Sequence, residues 1–150
     1  MDKMIKLGNK TAVITYLIID IVCAGAGMGV PIFCIILGFP LGWFIARRTA
    51  ALAPDPHSIN KTILKLSFLA SAFTFLLMIV IWGRTIPMFF NSRSDFQNFG
   101  HPFILYDPKM SFIGWLILMM IISPFLQLLA TIFASFVTLV RIGQENSDRV

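Results

Sequence analysis

Four predominantly apolar stretches, residues 11–28, 31–46, 63–82 and 111–140, together cover about half of the 150-residue chain. In hydrocarbon each backbone amide must find its partner within its own segment, so runs of this length and polarity predict spanning helices. With 57% of residues hydrophobic, 13% charged and a mean hydropathy of +0.84, too little polar side chain remains to dissolve a globule. The expected fold is an all-α integral membrane protein forming one domain over residues 1–150.

The first apolar region, 11–46, would be roughly 50 Å long as one helix, against a hydrocarbon thickness of ~30 Å. Gly25, Gly27, Gly29 and Pro31 at its centre favour a tight helical hairpin over a single tilted helix. Four transmembrane helices follow, at about 11–28, 31–47, 62–83 and 111–140. The last is too long for one untilted crossing, and Pro124 near its middle predicts a kink.

The twelve Lys and Arg sit in small groups around the apolar runs. They read as topology signals, and a nucleic-acid surface is excluded although the net charge is +5. With four spans and the amino terminus inside, Lys3, Lys6, Lys10, Arg47, Arg48, Lys61, Lys65, Arg141 and Arg149 are cytoplasmic. Only Arg84, Arg93 and Lys109 are then outside; a single span over 11–46 would divide the cations evenly. The positive-inside rule therefore favours four helices, both termini in the cytoplasm, a 141–150 cytoplasmic tail, and a location in the cell membrane. Trp43 falls near one boundary, and Trp82 and Trp115 near the other, as an interfacial belt would place them. A cleaved signal peptide is disfavoured, because Asp20 interrupts the first run and a second run follows at once.

Residues 49–62 read as a short connector, with Ser58 or Asn60 capping the next helix. The extracytoplasmic segment 83–110 is unusually aromatic, with Phe89, Phe90, Phe96, Phe99, Phe103 and Tyr106. It is expected to lie along the headgroup layer, with closure over the mouth of the bundle as the alternative. His101 before Pro102 reads as a turn residue. No spacing of His and Cys suggests a metal site, and no phosphate-binding loop, nucleophile elbow or dinucleotide fingerprint occurs. No catalytic residue, cofactor or metal is expected, and the chain is read as not an enzyme.

Asp20 is the one charged residue well inside an apolar run, roughly 13 Å from either boundary. A carboxyl at that depth is costly unless neutral, paired or hydrated, and intramembrane acids are functional candidates by default. No Lys or Arg lies at matching depth, so its partners are expected to be neutral. Helical spacing aligns Tyr16 with Asp20; Ser67, Ser71 and Thr74 line the third helix, and Ser123, Gln127, Thr131 and Thr138 the fourth. A polar cluster of Asp20, Tyr16, Ser71, Thr74, Ser123 and Gln127 is the candidate site.

Gly25 with Gly29, and Gly38 with Gly42 around Pro40, have the four-residue spacing that lets helices approach closely. They are expected to pack within the hairpin or, alternatively, to form a dimer face, and Pro40 marks a candidate hinge. Cys23 and Cys34 are expected at similar depth as small buried thiols. Two functions fit: a noncatalytic membrane subunit or accessory protein contacting lipid and other membrane proteins, or a small proton- or cation-coupled transporter, working as an oligomer, with Asp20 as coupling group. Cysteine labelling checks the topology: position 90 should react from outside and position 48 only from the cytoplasmic side.

Overall fold

The computed structural model of the chain describes residues 8–26, 32–52, 55–91, 93–100 and 105–147. The reversal at Gly27, Gly29 and Pro31, and His101 with Pro102, lie outside the described residues. Every regular element among them is helical: α1 (Asn9–Ala26), α2 (Ile32–Leu52), α3 (Pro56–Trp82), a 3₁₀ helix (Gly83–Phe90), α4 (Pro108–Ile117), a π turn (Leu118–Ile122) and α5 (Ser123–Ser147). Three helical stretches, Ile32–Leu52, His57–Phe90 and Pro108–Glu145, are long and apolar enough to cross a membrane, and α1, at 18 residues, is the short one.

Helix ends depart from the hydropathy boundaries because local chemistry sets them. Asp55 caps α3, its Oδ2 accepting from the Ser58 amide at 3.3 Å, and Pro56 occupies the first turn. Helix α3 therefore starts six residues before the expected 62, and Ser58 and Asn60 lie inside it. Asp107 and Pro108 repeat the device, with Asp107 Oδ1 accepting from the Met110 amide at 2.8 Å. At the other boundary α2 runs to Leu52, beyond Arg47, because nothing in Arg-Arg-Thr-Ala-Ala-Leu stops a helix.

α1, α2, α3 and the continuous stretch α4–π turn–α5 run alternately in opposite directions. Ala24, Cys34, Met78, Trp115 and Met119 share one buried cluster at one end, and Ile45, Ala46 and Ile63 share another at the opposite end. The second end carries Arg47, which faces Glu145 at 4.0 Å, and is called the basic end below. The first is the aromatic end. There Trp82 meets Trp115 edge-on at 4.5 Å, and Trp115 is buried rather than turned outward as a belt residue. Phe89, Phe96 and Phe99 pack on Phe112 at 5.4, 5.3 and 4.8 Å. Part of the segment 83–110 thus folds back over the bundle, while Phe90, Leu105 and Tyr106 remain exposed. A tight turn orders the stretch between: Asp95 accepts from the Asn98 side chain at 2.6 Å and from the amides of Gln97 and Asn98. These donors, the Asn98 side chain first, hold the Asp95 carboxyl below its usual range.

The most extensive helix pairing is α2 with α5. Gly38 and Gly42 face α5, and there is no room for a side chain at either. A Cβ on Gly38 would lie 2.8 Å from the Gln127 carbonyl and 2.9 Å from the Ala130 Cβ, and one on Gly42 would strike the Thr131 carbonyl. The nearest neighbours of both glycines are on α5, not on α1. Ser135 crosses the seam, its Oγ donating to the Gly42 carbonyl at 3.0 Å. Pro40 lies exposed on the other side of α2, which continues through it as one helix. Gly25 has open space around it, and Gly29 lies outside the described residues.

Polarity is inverted relative to a water-soluble bundle. Ile14, Ile18, Phe68, Leu76, Val80 and Phe133 are each more than half exposed, whereas Asp20, Thr74, Ser123, Gln127, Thr131 and Ser135 are buried. Gly42→Ala should destabilise the fold by about 1–3 kcal/mol through overpacking against backbone. Gly25→Ala, in open space, should be neutral or should stabilise by up to ~1 kcal/mol through helix propensity. Equilibrium unfolding in detergent compares the two.

Candidate functional site

The polar cluster is assembled from α1, α3 and α5 at the middle of the bundle. On α1, Tyr16 and Asp20 are one turn apart and both face α3, so their side chains meet the groups at Ala70 and Thr74, also one turn apart. Asp20 is 0% exposed. The Thr74 hydroxyl lies 2.8 Å from Asp20 Oδ2, 3.2 Å from the Ala70 carbonyl and 3.3 Å from the Tyr16 hydroxyl. The Tyr16 hydroxyl in turn donates to the Ala70 carbonyl at 3.1 Å and accepts from Gln127 Nε2 at 3.4 Å.

With Asp20 ionised, Thr74 donates to Oδ2, Tyr16 donates to Ala70, and Gln127 donates to Tyr16. With Asp20 neutral, its own O–H donates to Thr74, whose hydrogen then turns to the Ala70 carbonyl. The same heavy atoms satisfy every hydroxyl donor in both states. The states differ in net charge, and a charge buried without a counter-ion is the costlier. Two acceptors stay without a hydrogen bond in either state: Asp20 Oδ1 and Gln127 Oε1.

The remaining expected members sit beside this network. The Ser71 hydroxyl donates to the Pro124 carbonyl at 2.7 Å, tying α3 to α5. Ser123 is buried at the start of α5, where its amide donates to the Leu118 carbonyl and closes the π turn. That turn places an irregular stretch directly before Pro124, which cannot donate an amide hydrogen of its own. The kink was expected at Pro124; the irregularity that is present is the π turn at 118–122, and the helix continues through Pro124 to Ser147. Cys34 is buried, Cys23 is half-buried, and both are free thiols.

Sequence reasoning missed Ser135. Its hydroxyl reaches the Gly42 carbonyl and also the Thr131 carbonyl at 2.8 Å. The pattern was present, since Gln127, Thr131 and Ser135 recur every fourth residue. It also missed a cleft of about 610 Å³ between α1, α2 and α3 at the basic end, lined by residues from Ala12 to Phe73 that include Tyr16 and Arg48. A cleft built from three helix surfaces leaves no periodic signature in any one of them. Among the described residues no group of three His, Cys, Asp or Glu is placed to hold a metal.

Comparison with family models, with curated proteins and with solved structures finds no match to the chain. The geometry of the cluster therefore stands alone as a guide to function.

Thr74→Val should cost about 0.6–2 kcal/mol, because it removes the hydroxyl that Asp20 and Tyr16 share. Ser67→Ala should change stability by less than ~0.5 kcal/mol, since the buried Ser67 hydroxyl makes no hydrogen bond to lose. Unfolding midpoints of the two variants in one detergent check the contrast.

Proposed function

We propose that the chain is a multi-pass integral membrane protein with four spans and both termini in the cytoplasm, serving as a noncatalytic membrane subunit or accessory protein. The observation that carries this reading is the inverted polarity described above. Outward-facing Ile, Leu, Phe and Val are solvated by acyl chains, and inward-facing hydroxyls and amides pair away from them. In water the same surface would be one large aggregation patch.

Two features support α1 as the fourth span. Its 18 residues extend about 27 Å, close to the thickness of a hydrocarbon core. Tyr16 and Asp20 also meet Ala70, Thr74 and Gln127 near the midpoints of the longer helices, so α1 lies alongside them at matching depth. The concentration of Arg and Lys at the basic end supports placing that end in the cytoplasm.

The noncatalytic reading draws support from how the interior polar groups are used. Ser71 and Ser135 tie helices together through backbone carbonyls, and Thr131 and Thr138 donate to carbonyls within α5. Asp20 then acts as a neutral strut that fixes α1 against α3. With Gly38 and Gly42 occupied by α5, partner contacts fall to α1 and the outer segment.

One observation favours the second reading, a proton- or cation-coupled transporter acting as an oligomer. Asp20 Oδ1 and Gln127 Oε1 are buried acceptors without a hydrogen bond, the condition of groups that take up a proton, ion or water.

Infrared titration in liposomes separates the two, with Asp20→Asn assigning the band. The strut predicts a carboxyl band unchanged from mildly acid to mildly alkaline pH. Reversible loss of the band near neutrality would replace the strut with the transporter. Retention of the chain in membranes through alkaline carbonate washing tests the membrane reading itself.

A further inference from the structure

We infer that one water molecule is bound between Asp20 and Gln127, donating one hydrogen to Asp20 Oδ1 and the other to Gln127 Oε1, and so links α1 to α5. The inference rests on the strut reading of Asp20 and adds the ligand that completes the polar cluster.

Asp20 and Gln127 are both fully buried, yet Asp20 Oδ1 and Gln127 Oε1 accept no hydrogen bond. The other end of each side chain is held: Asp20 Oδ2 by the Thr74 hydroxyl at 2.8 Å, and Gln127 Nε2 by the Tyr16 hydroxyl at 3.4 Å. Thr74 and Tyr16 in turn lie 3.3 Å apart, so the four side chains form an arc whose two ends are the unsatisfied oxygens. Gln127 also acts on the Asp20 carboxyl directly, which brings the ends of the arc to one site. The seam there suits a small occupant. α1 packs its backbone against α2 and α3, and it meets α5 through the long side chains of Tyr16 and Gln127. Unlike the glycine seam of α2 and α5, it is filled side chain by side chain.

Donor count selects the ligand. Two acceptors call for two hydrogens, and hydroxyls nearby spend theirs elsewhere: Ser71 on the Pro124 carbonyl and Thr131 on the Gln127 carbonyl. A water brings both hydrogens and no charge, whereas an acceptor left without a donor in a membrane interior costs its full desolvation penalty. A divalent cation takes about six or more oxygens, and among the described residues no group of three His, Cys, Asp or Glu gathers to supply them. Neutral Asp20 keeps Oδ1 as a carbonyl acceptor when its proton sits on Oδ2. The water then closes a ring of Asp20, Thr74, Tyr16 and Gln127 that draws on α1, α3 and α5 at once. Each bond in such a ring polarises the next. Enclosed by two fully buried side chains, this water is a fixed part of the fold and not an opening to bulk solvent.

The test is a crystal structure of the full-length protein, grown from a lipid mesophase, at a resolution that orders interior water. A single peak should lie between Asp20 and Gln127, about 2.7–3.2 Å from both Oδ1 and Oε1. Gln127→Met and Asp20→Leu each remove one of the two acceptors, and either variant, with its helical circular dichroism intact, should lose the peak. The wild-type density decides the site even where a variant fails to fold. No peak, Gln127 Nε2 donating straight to the Asp20 carboxyl, direct contact of Oδ1 with Oε1, or a peak that survives either substitution would each overturn the water and leave the strut standing. A peak ringed by five or more oxygens closer than about 2.6 Å is a cation, and it would overturn the water and the strut together.

Discussion

Two absent side chains hold the bundle together. Because Gly38 and Gly42 carry no Cβ, the backbones of α2 and α5 touch, and the Ser135 hydroxyl can reach a carbonyl on the neighbouring helix. Dispersion between closely packed surfaces, together with interhelical hydrogen bonds, is the main attraction left to helices surrounded by acyl chains, since burial of apolar area gains nothing there. With α2 and α5 in contact, α3 is tied to α5 by Ser71 on the Pro124 carbonyl, and α1 is held against α3 through Tyr16 and Asp20. The order runs from a tight seam of small residues to a looser seam of polar ones.

The looser seam is also where the chemistry lies. Asp20 has company but no counter-ion, and the hydroxyls around it can be reoriented by moving hydrogens alone. A helix attached by such groups is held as firmly as its hydrogen bonds are satisfied, so the acid that positions α1 is also the group through which protonation would act on that position. The structural and transport readings thus share one set of atoms and differ in whether water reaches them.

Much of this was legible in the sequence, and the failures have physical causes. Hydropathy located three long helices because their apolar runs span entire elements. It misplaced the start of α3 because the Asp55–Pro56 cap, a local backbone device, outweighs the polarity of the residues after it. Helical spacing brought out Tyr16, Asp20, Thr74 and Gln127, which the structure does bring together, since a stripe on one helix encodes a shared face. It could not tell which helix that face meets. The expectation that Gly38 and Gly42 pack within the first hairpin failed at that step, because their partner is α5, nearly ninety residues further along the chain. Trp115 was misread as a belt residue because sequence gives depth along a helix more readily than direction around it.

The π turn at Leu118–Ile122 does more than soften a proline. Each residue in an α-helix advances the side-chain direction by about 100°, so one extra residue in a turn rotates everything downstream by that amount. Up to and within the turn, Phe112, Trp115, Leu116 and Met119 form a buried face that meets Ala24, Cys34 and Met78 as well as the aromatic cap. Downstream, Gln127, Thr131 and Ser135 form the face that meets α1 and α2. The turn is a phase corrector: at about 100° per residue the two faces would lie roughly a quarter-turn apart, and the extra residue brings both onto the one side of a continuous helix that faces α1 and α2, ring-lined at one end and hydroxyl-lined further along.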